Sequence, residues 1–182
     1  GNLPAVAVHD LIVHPRDNEL VVGTHGRSIY VGDVSLIQQL TDSLTSKEIH
    51  FFALKPLNYA PNWGRMFDKY SEPRVQKYEV PFYTKVAGKS SIKIQTDKGL
   101  TLRTLTDDSE AGLNFVNFDL AIDTTAKAEY EKFLNAAKKK DEKEVKLDKA
   151  DDGKMYIRAG KYKVVVETAT GTKAEQVLEV KA

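Results

Sequence analysis

The sequence predicts a mainly-β protein in three stretches. These are a three-stranded antiparallel meander over 1–34, a helix with an aromatic, proline-bearing linker over 35–74, and a β-sandwich over 75–182 with a charged helical insertion at about 124–154. Three observations predict it. Short apolar runs alternate with polar residues at a period of two, the mark of a strand with one wet face. Turn chemistry recurs between the runs, at His14-Pro15-Arg16-Asp17-Asn18, His25-Gly26, Asp97-Lys98-Gly99 and Thr170-Gly171. Only two segments carry apolar residues at helical spacing.

Each element has its own reason. Ala5 to Val13, Glu19 to Thr24 and Ser28 to Gly32 are β-rich runs joined by short turns, which makes a meander. Three strands cannot bury both of their faces, so the meander needs a larger stack. Asp33 or Ser35 can cap a helix, and Leu36, Ile37, Leu40 and Leu44 then share one face, which places a helix at about 35–45. Pro56, Pro61, Gly64 and Pro73 punctuate the next stretch among Tyr59, Trp63, Phe67 and Tyr70, as in an ordered linker. Tyr78–Thr84 alternates around Pro81, which argues for an edge strand or a bulge because proline lacks the ladder donor. Residues 91–95, 100–105, 115–120, 162–168 and 176–180 complete about six strands, the spacing of an immunoglobulin-like sandwich.

Between them, Ala126, Tyr130, Phe133, Leu134 and Ala137 form the second helical stripe. From Lys127 to Lys154, nine residues are basic and eight acidic, so the signs cancel and a solvated helix with a mobile loop is expected. Lys138-Lys139-Lys140 is the one run that could meet phosphate, and Asp141 and Glu142 follow it at once.

Composition excludes several classes of function. Cysteine is absent, which removes disulfides, thiolate metal sites and a cysteine nucleophile. With 27 Lys+Arg against 26 Asp+Glu, no net field favours nucleic acid or an anionic membrane. No apolar run approaches the roughly 18 residues of a membrane helix, so no membrane insertion is expected. Gly1-Asn2-Leu3-Pro4 is neither basic nor apolar enough for a signal peptide, and a start on Gly rather than Met suggests a piece of a larger protein.

Candidate chemistry is sparse. His9, Asp10, His14 and His25 are the densest set that could bind a metal or relay protons, but His9 and Asp10 point to opposite faces of a strand, and His9 and His14 diverge as well. The plainer expectation is a histidine satisfying a turn at a strand end. The pairs Asp107-Asp108 and Asp151-Asp152 are neighbours in turns, not carboxyls facing across a cleft. No catalytic, cofactor or metal residue is assigned. Trp63, Tyr59 and Tyr70 could stack on sugar rings, the alternative being that the tryptophan serves as packing.

Three stretches carry a resemblance. Leu3 to Leu40, with "VHDLIVHP" and "LVVGTHGRSIYVGD", resembles the closing blade of a sortilin-type, BNR-repeat β-propeller of exported bacterial glycosyl hydrolase-like proteins. Leu102 to Leu120, "LRTLTDDSEAGLNFVNFDL", resembles a strand pair of the immunoglobulin-like, FlgD-like domain that ends such proteins, with Phe118 where that family carries Trp. Arg158 to Val180 is similar to its last hairpin. The resemblance implies a non-catalytic C-terminal accessory region of an exported protein that closes a propeller and supports contacts with the rest of the parent or with a partner. A carbohydrate-binding module is the alternative. It implies that His25, Gly26 and Arg27 form a turn into the final blade strand, and that any catalytic carboxylates lie elsewhere in the parent. The repeat's Asp-box signature is absent here. Orphaned blade edges predict a homodimer through residues 5–33.

Overall fold

The alternating runs become strands and the fold is mainly β. The computed structural model describes residues 5–26, 28–136 and 143–182. Two compact units, Gly1–Ser46 and Lys47–Ala182, divide the chain.

In the first unit, β1 (Val8–His14), β2 (Glu19–Thr24) and β3 (Ile29–Asp33) form an antiparallel sheet in that order, with an irregularity between Val8 and Asp10. The expected helix over 35–45 is not continuous. A 3₁₀ turn at Ile37–Gln39 stops at Leu40, whose ψ of 77° is not helical. Thr41, in extended conformation, then caps α1 (Asp42–Thr45), its hydroxyl accepting from the Leu44 amide at 3.4 Å. A threonine suited to capping thus splits the apolar stripe into two single turns.

Among the described residues, the second unit holds two larger sheets and one of two short strands. One has five strands, ordered β5 (Leu57–Asn58), β13 (Lys173–Lys181), β12 (Gly160–Glu167), β7 (Gly88–Thr96) and β8 (Thr101–Ser109). The other has three, ordered β4 (Ile49–Phe51), β6 (Tyr78–Thr84) and β9 (Gly112–Phe118). Both contribute to one core: Ile92, Ile94, Val164, Val166, Leu178 and Val180 from the first, Phe51, Val80, Phe82, Val116 and Phe118 from the second. Two sheets sharing one apolar layer make a sandwich. β10 (Ala121–Ile122) pairs with β11 (Met155–Tyr156) beside it.

Three departures from simple alternation have physical causes. A register shift between Ile94 and Gln95 lets Leu102 be buried and Leu105 pack on the core, although the two are three residues apart. β6 is a central strand, yet β4 pairs with it only as far as Phe51 opposite Phe82, so among the described residues Pro81 has no ladder partner on that side. The stretch read as a linker also supplies sandwich strands: β4 pairs with β6, and β5 runs parallel to β13, Leu57 opposite Val180.

The charged insertion opens with a 3₁₀ turn at Thr124–Ala126 and α2 (Lys127–Ala136). Ala137 and Lys138, Lys139 and Lys140 lie outside the described residues. The stretch after them is tied down rather than a solvated loop. Leu147 is buried, its amide donates to Glu131 Oε1 at 2.7 Å, and the Asn135 amide group bonds Val145 N and O at 2.8 and 3.0 Å. Buried leucine and satisfied backbone outweigh the solvation of the flanking charges.

Candidate interaction surface and aromatic cleft

The meander is apolar on both faces. Side chains directly opposite in a ladder share a face. Register therefore puts Leu11, Val22 and Tyr30 on one face with Val13 and Leu20, and Ile12, Val21 and Val31 on the other with Ile29. Strands with polar residues on one face tolerate water there, whereas strands apolar on both faces belong between two layers. Yet Leu11 is 58% exposed, Ile12 60%, Ile29 70% and Val31 59%. Every residue of β1 is exposed. Among the described residues, β1 and β3 are the outer strands of this sheet.

Three of the four histidines, His9, His14 and His25, sit around the ends of this sheet. His9 and His25 stack, ring centroids 5.0 Å apart and 24° from parallel. The irregularity between Val8 and Asp10 lies at this place, and His25 N donates to Ala7 O at 3.0 Å. His14 Nδ1 lies 3.2 Å from Asp17 Oδ2 within its own turn. Asp10 accepts from the Leu11 amide at 2.8 Å. Among the described residues, no three His, Asp or Glu side chains converge on a metal-sized site. His25 and Gly26 form a tight turn, Gly26 at φ 71°, closed by the Thr24 hydroxyl on Ser28 O at 2.7 Å. Arg27, the third residue of that expected turn, lies outside the described residues.

The linker aromatics are divided by the second unit. Trp63 is 4% exposed and belongs to the core cluster. Tyr59 meets it at 76°, centroids 5.2 Å apart. Tyr70 is 85% exposed and lies apart, on a loop held by Ser71 and Asp68 side chains. Trp63, Tyr59 and Tyr70 are therefore not one flat exposed platform. Tyr156 packs against the tryptophan, ring centroids 6.2 Å apart, and Gly64 leaves room for that ring, while its carbonyl accepts from the Asp152 amide at 3.1 Å.

Tyr59 and Trp63 instead line a small cleft with Tyr156, Arg158, Arg65, Pro61, Leu147 and Asp148. Its volume is about 60 Å³. Beneath it lies a buried polar cluster. Tyr130 and Tyr162 hydroxyls are 2.5 Å apart, Tyr162 donates to Arg158 O at 2.6 Å, and Arg158 N donates to Tyr130 OH at 3.0 Å. The Arg158 guanidinium donates to the Tyr59 hydroxyl and lies over its ring. Burial raises the pKa of Tyr162 and Tyr130, so both stay protonated. Tyr156 is raised by burial and by Asp152, whose carboxylate accepts its hydroxyl at 2.5 Å.

Tyr130, Tyr156, Arg158 and Tyr162 had no signal as a group, because they come from α2, β11, the following turn and β12. Arg158 and Tyr162 do fall within the hairpin stretch that carried the resemblance, but nothing there marks them as joined. No family model, curated protein or solved structure matches the chain.

Proposed function

We propose that this chain is a non-catalytic accessory region of an exported β-propeller protein of the sortilin-type, glycosyl hydrolase-like kind. The meander would supply the last blade strands and close the propeller, and the sandwich would carry contacts to the rest of the parent or to a partner. The observation that carries this reading is the two-faced meander. A sheet apolar on both sides needs a layer on each side, and a propeller blade is packed between two neighbours. Exposed apolar surface of this extent marks an interaction site. A β-sandwich following it in the sequence fits the same kind of parent.

Without its neighbours the meander is expected to pair with a second copy. Light scattering on the full chain at micromolar concentration should give a dimer. Ile12→Lys combined with Val31→Lys puts charge on one face at small cost to folding, since both side chains are already exposed. That variant should be a monomer with an unchanged sandwich. A wild-type monomer with ordered residues 5–33, or a variant that still dimerises, counts against the reading.

A further inference from the structure

We infer that the meander joins a second copy of this chain edge to edge, through β3 and not through β1, in a single register; this rests on the meander being an interaction surface and adds which strand and which residues meet. Backbone directions fix what each edge offers, because successive residues of a strand turn their main-chain groups to opposite sides. Between β2 and β3, Thr24 N donates to Ser28 O at 3.3 Å and Val34 N to Asn18 O at 2.9 Å. By alternation the opposed residues Val22 and Tyr30, and Leu20 and Gly32, bond in the same way, so Ile29 and Val31 turn their main-chain groups outward. The remaining residues of β2, Glu19, Val21 and Gly23, then face His14, Ile12 and Asp10, and the outward residues of β1 are Leu11 and Val13.

The two edges differ. On β1 the outward Leu11 amide already donates to the Asp10 carboxylate at 2.8 Å, where an incoming strand would need to place a carbonyl oxygen. The register irregularity between Val8 and Asp10 distorts the same edge. A charged side chain on the edge and an irregular ladder both keep strands from adding. β3 carries neither over Ile29–Val31, and among the described residues no hydrogen bond reaches Ile29 or Val31 from beyond β2.

Side chains select the second copy and its register. Two β3 strands related by a two-fold axis pair antiparallel, so that what one residue offers its counterpart offers too. With Ile29 of each copy opposite Val31 of the other, apolar side chains meet on one face, and Tyr30 meets Tyr30 on the other. Leu11, Val22 and Tyr30 already lie in one row across the sheet. In this register the row runs on through Tyr30 of the second copy to its Val22 and Leu11. Sliding the strands by one pleat either way sets Tyr30 opposite Ser28 or Gly32 and breaks the row.

Proline on either edge tests the assignment in the full chain. Val31→Pro removes an outward N–H that has no bond within the sheet, so it blocks the β3 edge without breaking the β2–β3 ladder. Val13→Pro does the same to β1. In sedimentation at graded concentrations, Val31→Pro should weaken the dimer by at least about tenfold, since each copy loses a main-chain bond to the other. Val13→Pro should dimerise like the wild type. The chain has no cysteine, so one introduced thiol is a second probe. Tyr30→Cys places two thiols at a non-hydrogen-bonded pair, with Cα atoms about 4.5 Å apart, within disulfide reach. With oxidised glutathione as the oxidant it should form a disulfide-linked dimer, and Ile12→Cys on β1 should not. If Val31→Pro unfolds the meander, the two cysteine variants give the answer. A wild-type dimer that survives Val31→Pro with its strands intact, or Tyr30→Cys linking no faster than Ile12→Cys, overturns the β3 assignment and leaves the meander as the interaction surface. A wild-type monomer with ordered strands overturns both.

Discussion

Asp119 shows how one side chain is settled by opposing effects. Burial raises its pKa, but a hydrogen bond from Lys154 at 2.9 Å, the Ala121 amide at 3.2 Å and the Arg103 charge together outweigh burial and lower it. A carboxyl whose folded pKa is depressed contributes stability above its unfolded pKa, and loses it as pH falls through the folded value. Asp119→Asn should therefore cost about 1–3 kcal/mol at neutral pH, where Lys154 loses its carboxylate partner and Arg103, still paired with Asp123 at 2.8 Å, loses a second one. Urea titrations should show the gap between wild type and variant steady down to about pH 5 and closing below about pH 4. A gap that does not narrow at all as pH falls through and below the range in which a free aspartate titrates would show that Asp119 acts through packing. Asn114 illustrates what a residue pattern can convey. It stands in the "AGLN" stretch that carried the resemblance, and its amide ties Glu110 N, Glu110 O and Gly112 O at the β8–β9 turn. Turn chemistry of this kind is local and can be read from sequence.

At the scale of elements, period-two alternation was a reliable guide wherever a strand has one buried face. β7 and β12 alternate strictly between buried and half-buried residues over most of their length. The two-residue β5 and three-residue β4 left no such trace, because they are too short to show a period and exist by pairing with distant strands. The 35–45 helix failed for a related reason: an apolar stripe says which residues share a face, not whether Thr41 will interrupt them. The insertion after α2 is where composition misled most. Nine Lys and eight acidic residues over Lys127–Lys154 read as a solvated loop, while Leu147 is 1% exposed against the core. Leu147→Ala should cost about 2–5 kcal/mol in chemical denaturation, the range for truncating a buried leucine. A solvated loop would show a cost within about 0.5 kcal/mol of zero.

Over the whole molecule, every member of the sandwich core lies beyond residue 47. A chain starting at Lys47 should therefore melt cooperatively with the midpoint of the sandwich in the full protein. A chain starting at Val75 would lose β4, β5, Phe51, Phe52 and Trp63, all tied to the core or its sheets, and should unfold at markedly lower denaturant or fail to fold. Equal stability of the two would place the boundary at 74 instead. The sequence by itself determined the mainly-β class, the positions of the longer strands and their turns, and the want of any cysteine chemistry, because alternation and turn residues act within a few positions of the chain. Only the tertiary structure decided that Trp63 is covered while Tyr70 is exposed, that His9 stacks on His25, and that Tyr130 and Tyr162 meet around Arg158. Those facts depend on segments as far apart as 59–64 and 152–158 arriving at one place, and no period within either segment encodes the other.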